Sequence, residues 1–263
     1  MNLQLKCRTQ NSGVRRKAVR VILDERPINI KRQTNHDFFS RQKDNSMQKA
    51  QNAEEYIEQQ RMAISSNPEC GTSHYNLGVG LLGQRKFDEA EKEFFEALEC
   101  SPGLAEAYVQ LGGICLNRGD LDGCLAYNQK AVKARPGFSE GYGNIGFVHM
   151  QKGNIDEAIT ALERATFFNF RFIQAFTTLA NAYLMKGDID KCIETNQKAL
   201  KLEPDFAVAH NNLTIAYLEK GDDAAAVLHG DRAVELGYEV APEILDELRT
   251  VKERLKSGET TKS

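Results

Sequence analysis

The chain has 263 residues, 41% of them hydrophobic, and carries 34 Lys and Arg against 37 Asp and Glu. This composition excludes an intrinsically disordered or fibrous protein. No apolar run approaches the roughly 18 residues that a membrane-spanning helix needs. Residues 1–20 also lack the apolar core of a secretory signal, so we expect a cytoplasmic protein without a membrane span.

The charge is distributed unevenly along the chain. Residues 1–46 carry 11 basic against 4 acidic side chains, a net charge of +7, which leaves −10 for the remainder. Such a basic segment, rich in Asn and Gln, is typical of a disordered arm. It can also contact nucleic acid or an acidic surface. A third alternative is that translation begins at Met47, where the helical pattern starts.

A period of 34 residues organises the middle of the chain. Proline recurs at this spacing at Pro68, Pro102, Pro136 and Pro204. The period divides the chain into five units: 71–104, 105–138, 139–172, 173–206 and 207–240. Apolar residues at helical spacing predict a first helix in each unit. The second helix carries small residues seven positions apart, such as Ala158 and Ala165, which let two helices approach closely.

Glycine followed by Asp or Asn marks the predicted end of four first helices. Glycine can adopt the left-handed conformation that ends a helix, and Asp or Asn directly after it can cap the next helix. The four glycines are Gly119, Gly153, Gly187 and Gly221, followed by Asp120, Asn154, Asp188 and Asp222. Asn154 and Glu157 also have the spacing of a capping box.

This pattern closely resembles the tetratricopeptide repeat (TPR). The resemblance rests on a small residue in each first helix, on Ala in the second helix and on Pro in the closing turn. The small residues are Gly78, Gly112, Gly146 and Ala180. The resemblance implies an all-α fold, a right-handed α-solenoid of helix-turn-helix units whose first helices line a concave groove. Stacking of the units completes the core, because no single helix pair can bury both of its faces.

Departures from the pattern mark the ends of the repeat array. We expect an N-terminal capping helix within residues 47–70, because they match only the second half of a unit. Residues 241–255 are predicted to form a C-terminal capping helix, since Pro242 suits a first helical turn and apolar residues follow on one stripe. Residues 256–263 are expected to be a disordered tail.

No catalytic, cofactor or metal motif accompanies the repeats. Two GxGxxG matches, at 78–83 and 141–146, lie inside first helices, whereas a dinucleotide fingerprint follows a strand. We attribute these glycines to close helix packing. His74 and His210 occupy packing positions, which predicts structural histidines. The six cysteines show no metal-ligand spacing, so reduced thiols are expected. We therefore expect no enzyme activity, no cofactor and no metal.

The resemblance assigns the groove to residues of the first helices. A polar row could bind a peptide backbone, because side-chain amides both donate and accept hydrogen bonds; the alternative is a merely solvated row. Neighbouring apolar residues suit hydrophobic anchors of a peptide. The candidate groove residues are Tyr75, Asn76, Val79, Gln110, Asn144, Phe147, Thr178, Asn181, Asn211 and Asn212. Glu106 and Glu140 stand where some repeat proteins carry basic clamps, which favours a neutral or basic partner segment.

Two aromatic residues break the repeat pattern. Phe167 stands where other units have charged residues, and Phe170 replaces the recurring proline. An exposed aromatic pair is a candidate contact or self-association surface; the alternative is local packing. The sequence as a whole predicts a non-catalytic scaffold or adaptor that binds an extended peptide of an unidentified partner protein. The alternative function is a regulatory protein that contacts nucleic acid through its basic arm.

Overall fold

The computed structural model describes residues 53–257, and the predictions for residues 1–46 and 258–263 lie outside this range. The described chain contains twelve α-helices and no strand. None of these helices is long and apolar enough to cross a membrane. The described residues form two compact units, 53–169 and 170–257, hereafter the N-terminal and C-terminal units.

The N-terminal unit contains seven helices. They are α1 (Ala53–Ser66), α2 (Gly71–Gly83), α3 (Phe87–Cys100), α4 (Ala105–Asn117), α5 (Leu121–Ala134), α6 (Ser139–Gln151) and α7 (Ile155–Phe168). The most extensive contacts join α2 to α3, α4 to α5 and α6 to α7, and each pair also contacts the next. Helix α1 packs on α2, where a Cβ added to Gly80 would lie 2.9 Å from Ile57.

The C-terminal unit contains five helices. They are α8 (Ile173–Lys186), α9 (Ile189–Leu202), α10 (Ala207–Lys220), α11 (Asp223–Glu235) and α12 (Pro242–Ser257). Helices α8 and α9 form one pair, α10 and α11 form the next, and α12 packs on α11. Helix α12 extends two residues past the end predicted at residue 255, so the first two residues of the predicted tail are helical.

Helix pairs stack within each unit, and the predicted all-α fold of solenoid type is confirmed. The stacking depends on small residues of the second helices, which are completely buried. These residues are Ala90, Ala97, Ala158, Ala165 and Ala199, all with 0% exposure. Four glycines of the GxGxxG matches, Gly78, Gly80, Gly141 and Gly146, serve the same purpose, since a Cβ at Gly78 would lie 2.7 Å from the Phe94 ring. These matches are therefore packing features of helices.

Most of the helix-ending glycines and helix-capping side chains that the sequence predicts are present in the structure. The four predicted glycines all have positive φ, between +77° and +87°. The carboxylates of Asp120, Asp188 and Asp222 each accept a backbone N–H from the next helix. The predicted capping box at Asn154 is wrong, because Asn154 makes no side-chain cap. Its amide instead lies 3.4 Å from Nδ1 of His149.

Ion pairs join successive helix pairs at a recurring position. A basic residue at the end of a first helix contacts an Asp thirty residues earlier, in the second helix of the preceding pair. The pairs are Arg118 with Asp88 at 2.8 Å, Lys152 with Asp122, and Lys220 with Asp190 at 2.7 Å. Because these carboxylates are exposed, each pair contributes little to stability.

Arg85 takes the place of the turn glycine in the first repeat. It lies 34 residues before Gly119 and has a φ of +61°. We predict that Arg85→Gly raises the free energy of unfolding by about 1 kcal/mol, because a left-handed conformation costs roughly 1–2 kcal/mol when a Cβ is present. The greater freedom of glycine in the unfolded chain offsets part of this gain. Urea unfolding measures the change.

Gly153→Ala is the matched control for this prediction. It lies at an equivalent turn with φ +77°, where an added Cβ would meet no atom within 4 Å. Backbone strain alone should therefore lower the free energy of unfolding by about 1 kcal/mol. Two variants as stable as the parent protein would contradict the proposed strain at Arg85.

Candidate functional site

The ten candidate groove residues lie on first helices, six in the N-terminal unit and four in the C-terminal unit. Helix α2 carries Tyr75, Asn76 and Val79, α4 carries Gln110, and α6 carries Asn144 and Phe147. In the C-terminal unit, α8 carries Thr178 and Asn181, and α10 carries Asn211 and Asn212. Three of the ten are buried, since Gln110, Asn211 and Asn212 are 2%, 8% and 4% exposed. The other seven are half-buried.

The polar row is partly a structural feature in the N-terminal unit. Asn128 on α5 is completely buried, and its Nδ2 donates to the carbonyl oxygen of Cys124 at 2.8 Å. Its Oδ1 accepts a hydrogen bond from Nδ2 of Asn144 at 2.9 Å. One half of the Asn144 amide is therefore committed to the neighbouring second helix.

The same arrangement recurs 68 residues later in the C-terminal unit. Asn196 on α9 is completely buried, and its Nδ2 donates to the carbonyl oxygen of Cys192 at 3.1 Å. Oδ1 of Asn196 and Nδ2 of Asn212 are both buried without a hydrogen-bond partner among the described residues. They are the atoms equivalent to the acceptor and donor that pair in the N-terminal unit.

Because of its hydrogen bond to Asn128, Asn144 contributes to folding as well as to the candidate groove surface. Removing Asn144 would leave a buried carbonyl oxygen of Asn128 unpaired, which costs about 1–3 kcal/mol. The signal was present in the sequence, since Asn occurs at both members of two pairs that are 16 residues apart. The pattern of small apolar residues that defines the second helices does not include these asparagines, so the sequence analysis did not predict their pairing.

The remaining candidates form a half-buried surface of mixed character. Tyr75 and Val79 pack on the core of α2 and α3. Phe147 of α6 packs beside Cys115 and Val148, and the amide of Gln110 donates to the Tyr75 hydroxyl at 3.4 Å. The first helices of the N-terminal unit thus present apolar side chains that are partly accessible.

Carboxylates accompany this surface, and each has an internal partner. Glu106 forms an ion pair with Arg135 at 2.6 Å. Glu140 accepts a hydrogen bond from the Ser139 hydroxyl at 2.8 Å. In the C-terminal unit, Thr178 is half-buried and donates to the Gln174 carbonyl oxygen at 2.7 Å. Oδ1 of the half-buried Asn181 has no hydrogen-bond donor among the described residues.

His74 is a buried structural histidine, as predicted from its packing position. Its Nε2 lies 3.0 Å from the Pro68 carbonyl oxygen and its Nδ1 lies 2.7 Å from the Glu93 carboxylate. Burial lowers the pKa of His74, but the bonds to Glu93 and Pro68 outweigh it and raise this pKa above its ordinary value. The proton therefore stabilises the N-terminal unit.

His210 occupies the equivalent position in the C-terminal unit with a different partner. Its Nε2 lies 2.9 Å from the Pro204 carbonyl oxygen, and its Nδ1 lies 2.9 Å from Nδ1 of His229. His229 stands where the first repeat has Glu93, and it stacks on the Tyr217 ring at 5.5 Å. Burial, and then the charge of His210, lower the pKa of His229.

The aromatic cluster at the end of α7 consists of Phe167 and Phe168, the last two residues of that helix, and Phe170 follows as the first residue of the C-terminal unit. Phe168 stacks on Tyr142 with 5.6 Å between ring centroids and lies 3.3 Å from a Cβ built on Gly137. Phe167 meets Phe168 edge-on at 5.3 Å and is 80% exposed. Phe170 is 71% exposed. Phe168 is itself 47% exposed, so stacking on Tyr142 covers only part of its ring, and Phe167 and Phe170 are more exposed still.

A cleft of about 440 Å³ lies next to this cluster, between α5, α6 and α7. Val132, Ile145 and Ala161 supply apolar walls. Arg164 lies over the Tyr142 ring at 5.6 Å on one side of the cleft. Sequence analysis missed this cleft, because its lining comes from three helices that share no motif. Among the described residues, no cluster of three His, Cys, Asp or Glu side chains could hold a metal ion.

Known families and structures match this architecture. Models of the tetratricopeptide repeat match residues 50–105, 75–138 and 139–166, and a TPR repeat model matches residues 180–221. No curated protein matches the chain.

Among solved structures, the MamA protein is 26% identical and covers 61% of this chain and 94% of its own, with a TM-score of 0.56. YrrB, described as a TPR protein with an unusual peptide-binding site, is 19% identical and covers 73% of this chain and 97% of its own, with a TM-score of 0.59. Yeast Tom70 is 17% identical over 80% of this chain and 45% of its own, with a TM-score of 0.59.

The two histidine pairs generate a prediction about pH. Because the folded-state pKa of His229 is depressed, its contribution to stability is complete above about pH 6.5 and is lost as the pH falls below that value. His229→Glu should remove this loss and place a carboxylate beside His210, as Glu93 lies beside His74. The melting temperature of the variant, relative to the parent, should therefore rise as the pH is lowered from 8 to 5.5.

Glu93→His is the matched control at the equivalent position. The folded-state pKa of His74 is raised, so its contribution is complete below about pH 6.5 and is lost as the pH rises through that raised value. Replacing Glu93 should remove the contribution, and this variant should lose melting temperature relative to the parent as the pH is lowered. If the melting temperatures of both variants and the parent changed with pH in parallel, the opposite effects assigned to Glu93 and His229 would be wrong.

Proposed function

We propose that this chain, which belongs to the tetratricopeptide repeat family, is an adaptor whose first helices bind an extended segment of a partner protein. Members of this family act as protein-interaction scaffolds. The observation that carries the proposal is the half-buried apolar surface on the first helices of the N-terminal unit, formed by Tyr75, Val79 and Phe147. Accessible apolar side chains of this kind suit the hydrophobic anchors of a peptide.

Polar groups beside this surface support binding of the peptide backbone. Asn76 on α2 is half-buried, and Gln60 stands 16 residues before it in place of the fully buried Asn found before Asn144 and Asn212. Its amide can therefore pair with a partner's backbone N–H and C=O groups.

The charges near this surface favour a neutral or basic segment. Glu106 and Glu140 lie at the N-terminal ends of α4 and α6. The chain after residue 46 carries a net charge of −10. An acidic segment would meet repulsion from this charge, whereas a segment with Lys or Arg beside its apolar anchors would be attracted.

Peptides selected from a random displayed library against the full-length protein test this proposal. We expect the selected peptides to pair an apolar anchor with Lys or Arg. Val79→Ala combined with Phe147→Ala should weaken their binding at least about tenfold, because truncated anchor contacts cost roughly 1–2 kcal/mol each. Fluorescence anisotropy measures the affinity, and circular dichroism checks that the variant is folded.

The control for this test is Phe95→Ala. Phe95 is 42% exposed on α3, which is a second helix, so its truncation should leave peptide affinity unchanged. Equal affinity of the groove variant and the parent would refute binding by the first helices. Equal losses in both variants would point to a surface elsewhere on the helix pairs.

We further propose that Phe167 belongs to a contact surface for a partner or a second copy. Its side chain is 80% exposed, and the equivalent residue of the first repeat is Glu99. Phe167→Glu should therefore reduce self-association in sedimentation without changing the melting temperature. Phe168→Glu should instead lower the melting temperature, because Phe168 stacks on Tyr142. Unchanged sedimentation of the folded Phe167→Glu variant would limit the role of Phe167 to local contacts.

A further inference from the structure

Two half-exposed cysteines lie on adjoining segments of the first helix pair. Cys70 is the N-cap residue of α2 and Cys100 is the last residue of α3. Each directly precedes one member of a close contact, since a Cβ built on Gly71 would lie 3.0 Å from Cβ of Ser101. The Cys100 thiol also lies 3.9 Å from the carbonyl oxygen of Pro68, two residues before Cys70. The fold therefore brings the two thiols into the same neighbourhood.

The surroundings of Cys70 favour its thiolate. The Ser73 hydroxyl donates to the Cys70 sulfur at 3.2 Å. Backbone N–H groups of Ser73 and Thr72, in the first turn of α2, add further hydrogen bonds, and His74 adds positive charge. These groups lower the pKa of Cys70 below its ordinary value, with the Ser73 hydroxyl as the largest cause. Because the thiolate is the nucleophile, Cys70 is poised to react.

The other described cysteines have the opposite character. Burial raises the pKa of Cys100, and the carboxylates of Glu96, Glu69 and Glu99 raise it further. Burial also raises the pKa values of Cys124 and Cys192 to about 12, and these two thiols are 2% and 0% exposed. Cys70 therefore differs from the buried cysteines in its exposure and from Cys100 in its hydrogen bonds. Cys100 is the other partly exposed thiol.

We propose that Cys70 and Cys100 are a modification site, at which a hydroperoxide converts the two thiols into a reversible disulfide. The Cys70 thiolate attacks the hydroperoxide, so that a sulfur–oxygen bond forms, the oxygen–oxygen bond breaks and the alkoxide leaves as an alcohol after taking a proton. Cys70 is then a sulfenic acid. The Cys100 thiolate attacks this sulfur, the disulfide forms, and hydroxide leaves as water after taking a proton. The two thiols supply the two electrons that reduce the peroxide, and a dithiol reductant reverses the change.

The disulfide would join the turn between α1 and α2 to the end of α3. This covalent link closes a loop around the whole first helix pair, and a closed loop restricts the unfolded chain. The oxidised protein should therefore melt at a higher temperature than the reduced one. Helix α2 carries Tyr75, Asn76 and Val79, so the modification would act on the helix pair that presents part of the proposed peptide surface.

Oxidation of the reduced full-length protein with one equivalent of tert-butyl hydroperoxide tests the proposal. Alkylation, trypsin digestion and mass spectrometry should find peptide 62–85 linked to peptide 93–118, with two hydrogens lost. Peptide 93–118 contains both Cys100 and Cys115, so the same experiment on Cys115→Ala assigns the bond. Intact thiols at both positions, or a bond from Cys70 to another cysteine, would overturn the proposal.

Three variants separate the roles of the two thiols. Cys100→Ser should leave a sulfenic acid at Cys70 that dimedone traps, whereas Cys70→Ser should leave Cys100 as an unmodified thiol. Ser73→Ala should slow alkylation of Cys70 at pH 7 by about two- to tenfold, because one pKa unit changes the thiolate fraction about tenfold. Circular dichroism verifies that each variant is folded. Trapping at Cys100 instead of Cys70 would reverse the assignment and refute it.

Discussion

Close approach of helices at small side chains is the constraint on which the rest of this structure depends. Ala90, Ala158 and Ala199 have no exposed surface, and Gly78 leaves no room for a Cβ beside Phe94. A larger side chain at these places would separate the helices and expose the apolar residues between them. Since no helix pair can enclose its own core, each pair also depends on its neighbour. The need for small side chains at these contacts is one reason why the sequence repeats every 34 residues.

Repetition of the helix pairs places polar side chains at equivalent buried positions in the structure. Asn144 meets Asn128 across two helices, and Asn212 and Asn196 occupy the same positions 68 residues later. A buried amide is costly without a partner, so the second member of each pair is required by the first. The same logic applies to His74 and His210, which contact equivalent proline carbonyl oxygens. The residues that face their Nδ1 atoms differ, because Glu93 lies beside His74 and His229 lies beside His210. The predicted effect of pH on stability is therefore opposite in the two units.

The fold could be predicted because it follows from local and periodic features. Gly221 ends α10 with the expected left-handed conformation, and Asp222 caps α11 as expected. The candidate site was harder to predict, because exposure depends on partners outside the helix that carries a residue. The period places Asn212 on a first helix but does not show that Asn196 stands behind it. Asn154 likewise makes no side-chain cap, and its amide nitrogen lies near His149 of the preceding helix.

Positions where the chain departs from its own repeat are the most informative about function, because packing does not require the residue found there. Arg85 takes the place of a turn glycine, and Phe167 stands where Glu99 serves the first repeat. Cys70 and Cys100 lie at the edge of the first helix pair, each directly before one member of the close contact between Gly71 and Ser101. A residue that strains the backbone or exposes an aromatic ring persists only if it contributes something other than stability. This reasoning distinguishes Phe167, which the fold leaves exposed, from Phe168, which the fold uses against Tyr142.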